Sequence, residues 1–103
     1  MNSPPDPSED LRVTLAALAQ DRVVFLKTDL ELCSTFADFA ATEIELRDFE
    51  NAEKSIAHAE QGYETISRFL SDPKHASHLS SDQIREFTAA LKRLRNRLDG
   101  LKR

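Results

Sequence analysis

Residues 36–59, FADFAATEIELRDFENAEKSIAHA, decide how this chain folds, because two apolar helical stretches meet there across Leu46-Arg47-Asp48-Phe49-Glu50-Asn51-Ala52. Before the turn, Phe36, Phe39, Ala40 and Leu46 fall on one helical face; after it, Ala52, Ile56 and Ala59 fall on another. Large residues therefore meet small ones. Ala52 and Ala59 carry nothing beyond Cβ, so two antiparallel helices can approach closely there while Phe36 and Phe39 are expected to fill the space alongside.

Working outward, the segment before the turn is long and apolar. Leu11, Leu15, Leu18 and Phe25 form a stripe from about residue 9, and Leu26, Leu30, Cys33, Ala37, Ala40 and Ile44 continue one beyond it. Thr28-Asp29-Leu30-Glu31 has the form of a capping box, which argues for a new helix at Thr28, but no Gly or Pro separates the two halves. Both readings stay open: two helices, or one of roughly 57 Å over residues 9–46. A second stripe, Leu32, Phe36, Phe39 and Leu46, is offset from the first, so this helix is expected to make contacts on two sides. Uncovered, Leu11, Leu15 and Leu18 would call for a partner.

After the turn, Phe49, Ala52, Ile56, Ala59, Tyr63, Ile66 and Leu70 keep three-four spacing until Asp72-Pro73, which ends the helix because proline offers no N–H and restricts the residue before it. Lys74 to Leu79 reads as a surface loop. Ser80 with Gln83 forms a capping box that starts the last helix near Ser81. Ile84, Phe87, Leu91, Leu94, Leu98 and Leu101 then alternate spacings of three and four, a seam expected to close the hairpin's open groove, with a dimer seam as the other reading. Met1 to Pro7 holds three of the four prolines and reads as a disordered tail, with Ser8 as N-cap and residues 8–103 as one helical domain. The expected fold is an all-α antiparallel bundle of three long or four shorter helices.

Residues 33–66 of this bundle resemble a single, degenerate tetratricopeptide repeat. That family carries a bulky residue, Leu-Gly, an aromatic, a Gly-Asp-Tyr-like turn, an Ala, a bulky aromatic and a second Ala at fixed spacing over roughly 34 residues. Phe36, Phe39-Ala40, Arg47-Asp48-Phe49, Ala52, Ile56 and Ala59 stand at the matching places. Glu43 stands where an aromatic is usual, Arg47 replaces the turn glycine, and no proline closes the second helix at the family's distance. The resemblance implies a protein-interaction scaffold.

Composition narrows function by exclusion. The 103 residues include two Gly and no alternating β-branched runs, which leaves strands without support. The single cysteine, Cys33, sits among apolar helical neighbours and reads as a buried small hydrophobe. No apolar run reaches membrane-spanning length and no leader-like segment follows Met1, so a cytoplasmic protein is expected. No Glu-x-x-His pair, glycine-rich phosphate loop, nucleophile elbow or cysteine pair is present. His75 and His78 lack a third well-placed ligand, and His58 lacks the lysine and small residues that follow the histidine of phosphotransfer domains. Hence no enzyme activity, cofactor, metal or small-molecule substrate is expected.

The formal charge of −4 is unevenly spread. Residues 82–103 hold seven cations against three acids, a local +4, while residues 1–81 hold seven against fifteen, or −8. Arg93, Arg95 and Arg97 are the candidate polyanion contacts, although no aromatic is interleaved with them and the acidic remainder repels nucleic acid. Intramolecular docking or head-to-tail association is the other use of such asymmetry. The favoured function is a protein-protein interaction or self-assembly module, with a second copy as a candidate partner; nucleic-acid binding is the alternative.

Overall fold

The computed structural model describes the backbone of residues 7–102 and the side chains of residues 20–102. Helix α1 spans Pro7–Glu45, α2 Phe49–Ser71, the single-turn α3 Pro73–Ala76 and α4 Ser81–Leu101. All described elements are helical, and they pack as an antiparallel bundle. Of the two readings left open at Thr28, the continuous helix holds: α1 runs unbroken for 39 residues. Val23, Leu26, Leu30, Cys33, Ala37, Ala40 and Ile44 alternate spacings of three and four straight across it, so tertiary burial outweighs a local capping signal. At its start, Pro7 is already helical, which places Ser8 inside the first turn rather than at the cap; proline's fixed φ suits that first position. The rest of the expected tail, residues 1–6, lies outside the described residues.

The hairpin between α1 and α2 is built small on small. Cys33, Ala37 and Ala40 from α1 and Ala52 and Ala59 from α2 are all 3% exposed or less. Gly62 marks a close approach: a Cβ there would stand 2.3 Å from Cys33 Sγ. Such proximity leaves no room for rings between the axes; Phe36 packs alongside the core as expected, and the correction falls on Phe39, which does not fill that space. Phe36 lies on the flank, where it stacks on His58 with ring centroids 5.0 Å apart. Phe39 and Leu46, also assigned to the packed face, are 54% and 74% exposed.

Chain reversal needs only Leu46, Arg47 and Asp48. Asp48 N–H donates to Glu43 O at 2.8 Å and Arg47 N–H to Ile44 O at 3.0 Å, the paired bonds that close a helix around a left-handed residue. That residue is Arg47, at φ 59°, the position where glycine is favoured. Asp48 then caps α2, accepting from Asn51 N–H at 3.4 Å and from the Asn51 amide at 2.7 Å. Glu43, where an aromatic was absent from the repeat pattern, instead accepts a 2.6 Å bond from the buried Ser55 hydroxyl.

Asp72 ends α2 and begins α3, accepting from Lys74 N–H at 3.0 Å, with Pro73 at the first helical position. Lys74–Leu79 is therefore not the plain surface loop expected: its first half is helical, and Leu79, 8% exposed, closes the end of the core. Ser80 and Gln83 form the anticipated capping box, with bonds of 2.9 and 3.0 Å. Phe87, Leu91, Leu94 and Leu98 of α4 are buried in the same cluster as Leu26 and Ile66. Helix α4 runs parallel to α1 and antiparallel to α2. Because α2 holds 23 residues against 39 in α1, roughly 16 residues of α1 extend past it, and the molecule is 71 Å long.

Two outcomes follow from this hairpin. Arg47→Gly relieves the left-handed strain and raises unfolding free energy by about 1 kcal/mol in chemical denaturation. Gly62→Ala, although alanine is the better helix former, lowers it by more than about 1 kcal/mol, because the added methyl meets Cys33 Sγ between two backbones; pairing it with Cys33→Ala recovers part of the loss.

Candidate functional site

With α4 laid on one face of the α1/α2 hairpin, the other face is left open. Phe25, Leu32 and Phe39 of α1, and Leu46 in the turn that follows it, recur every seven residues along this face and are 45–74% exposed. Phe36 lies beside them, its ring edge-on to Phe39 at 6.3 Å. From α2, His58 stacks on Phe36, and Phe69 lies 5.9 Å from Phe25. The Phe69 ring is stacked in turn on His75 at 4.1 Å, which ties α3 to the same surface. Four phenylalanines thus border one side of a two-helix layer, with Asp21, Arg22, Phe25 and Phe69 lining a shallow, open depression of 330 Å³ at its α3 end.

This surface is the outer stripe seen in the sequence as Leu32, Phe36, Phe39 and Leu46, lengthened by Phe25. The seven-residue row was visible in the spacing. Phe39 and Leu46 also fit the face expected to pack on Ala52 and Ala59, so spacing alone does not separate the outer row from the packed one. Leu11 and Leu18 occupy further positions of that row in α1, with Leu15 nearby; their side chains lie outside the described residues.

The opposite face carries the charged clamp. Arg95 donates to Glu60 at 3.2 Å and to Asp99 at 3.0 and 2.7 Å, with its guanidinium 5.3 Å from the Tyr63 ring centre. Lys102 also pairs with Glu60, and Arg97 pairs with Asp38 on α1. Of the three arginines singled out for polyanion binding, Arg95 and Arg97 are thus engaged by acids of this chain, leaving Arg93 exposed on the groove that α4 forms with α1. Intramolecular docking consumes much of the charge asymmetry.

The candidate chemical groups are placed without convergence. Cys33 is buried, and that burial pushes its thiol above the usual range, the wrong direction for a nucleophile. His58 faces Phe36, His75 lies 3.9 Å from Asp72, and His78 is exposed. Among the described residues no three His, Cys, Asp or Glu side chains gather as metal donors, and no helix is long and apolar enough to cross a membrane. No protein family, curated protein or solved structure matches the chain.

Glu60 supplies a pH test of the clamp. Its hydrogen bond from Lys102, opposed by partial burial and joined by Arg95, holds the carboxyl below the usual carboxylate range. A depressed carboxyl stabilises the fold above its unfolded value of about 4.3 and loses that contribution as pH falls through the folded value. Wild-type stability should therefore drop below about pH 4.3 more steeply than that of Glu60→Gln, when urea midpoints are compared across the acid range.

Proposed function

We propose that this protein is a non-enzymatic protein-protein interaction or self-assembly module, built on a tetratricopeptide-like hairpin whose open face receives a helical partner. One observation carries the reading: the row Phe25, Leu32, Phe39 and Leu46 is exposed along α1 and the turn that follows it, although each is large and apolar. Scattered exposed apolar residues need no explanation, but a continuous stripe on one helix face marks an interaction surface. Its spacing supports a helix as occupant, since rows that recur every seven residues stay in register with another helix through a left-handed supercoil.

Leu32→Glu and Phe39→Glu test this. Both side chains are half-exposed, so thermal midpoints and circular dichroism should change little, by about 0.5 kcal/mol or less at each site. Association, read by light scattering at micromolar concentration and by capture of partners, should be lost. A wild-type chain that is strictly monomeric and captures nothing removes the support for this function.

A further inference from the structure

We infer that the occupant of the open face is a second copy of this chain, its α1 lying antiparallel along the first; the inference rests on the reading of that face as an interaction surface. Between the exposed apolar row and solvent runs a second row of α1, also with seven-residue spacing: Thr14, Asp21, Thr28, Thr35 and Thr42. Taken together, the two rows alternate spacings of three and four from Leu11 to Leu46, five heptads with a large apolar residue at one seam position and a threonine at the other, broken by Asp21 alone. This is the pattern of a helix-pairing seam, distinct from the row buried against α2, with Thr35 also bordering the groove that α1 forms with α4. Thr35 donates its hydroxyl to Glu31 O at 3.0 Å within α1, which satisfies the polar group and leaves its methyl for packing. Thr28 and Thr42, both exposed, put uncharged, β-branched residues on the surface of a charge-rich protein.

Charge selects both the partner and its direction. In a parallel pair in register, Asp21 would lie against its own copy inside the seam, two carboxylates with no counter-charge. An antiparallel pair that sets each apolar position opposite a threonine-row position places residue i opposite 53 − i, one residue from exact overlap of Pro7–Glu45; this puts Asp21 against the partner's Leu32 and brings Arg22 within a helical turn of the partner's Asp29. Arg22 and Asp29 both flank the seam on the α2 side, and two-fold symmetry makes that contact twice. Arg22 Nη1 is buried with no hydrogen-bond partner among the described residues, and Asp29 is half-buried without an ion pair among them. The length of α1 agrees as well: an antiparallel copy lays the part of α1 that extends past α2 along the other molecule's row toward Phe39 and Leu46.

Sedimentation and light scattering of the full chain from about 1 to 200 μM should give a dimer mass, since paired helical seams of this length associate in that range. Arg22→Asp or Asp29→Arg should raise the dissociation constant about tenfold or more, and the double exchange should restore most of it. Nitroxide labels at Glu45→Cys should lie about 55–60 Å apart in the dimer and those at Lys27→Cys within about 30 Å, from the axial rise of the helix; Cys33, 3% exposed, is shielded from the reagent. Similar short distances at both sites, or charge reversals without effect, overturn the antiparallel pairing. A monomer over the whole range with its helicity intact overturns self-pairing altogether, and the interaction reading is then decided by the Phe39→Glu capture experiment alone.

Discussion

The close approach of α1 and α2 at Cys33 and Gly62 is the constraint on which the remaining structure depends. Burying small residues brings two backbones together and maximises dispersion contacts along the axes, while it excludes large side chains from the seam. Cys33, Ala37, Ala40, Ala52 and Ala59 provide that seam. Its consequence is lateral. The rings of Phe25, Phe36, Phe39 and Phe69 are forced to the edges of the two-helix layer, where α4 covers only the opposite side. The exposed aromatic surface is thus a by-product of how tightly the hairpin packs.

Electrostatics fixes which side is covered. Apolar burial of Phe87, Leu91, Leu94 and Leu98 would hold α4 on a hairpin face, but it is non-directional and indifferent to small rotations. Glu60, reached by Arg95 and Lys102, and Asp38, reached by Arg97, lie on the α4 side of α2 and α1 and set the rotation of the closing helix. Individually such partly exposed pairs contribute about 1 kcal/mol or less. As a network they orient. They also engage three of the cations of residues 82–103, Arg95, Arg97 and Lys102, with acids of α1 and α2.

Legibility in the sequence depended on whether a residue had one neighbour or several. The seam of α4 from Ile84 to Leu101 was plain, because a helix packed on one side leaves a single apolar stripe, and Ser80 with Gln83 marked its start through purely local bonds. Asp72-Pro73 likewise ended α2 for local steric reasons. Helix α1 was harder. It has apolar rows on two sides, and nothing in periodicity tells which row meets α2; the answer depends on the Cys33–Gly62 approach, a contact between residues distant in sequence. Thr28-x-x-Glu31 has the right residues for a cap, yet a cap forms only where the chain stops being helical, and burial of Leu26, Leu30 and Cys33 keeps it helical. Leu79 looked like loop because its burial depends on α3, whose one turn is too short to leave a periodic signal.

The outer row Phe25, Leu32 and Phe39 is exposed in the single chain, and on the proposed function it is covered when the chain associates. Hydroxyl-radical footprinting of Leu32 and Phe39 across a concentration series measures that directly, with Phe49, 58% exposed off the row, as an internal reference. Oxidation at Leu32 and Phe39 should fall as concentration rises while Phe49 keeps its rate. Equal, concentration-independent oxidation at all three, over a range in which the fold is intact, would contradict it.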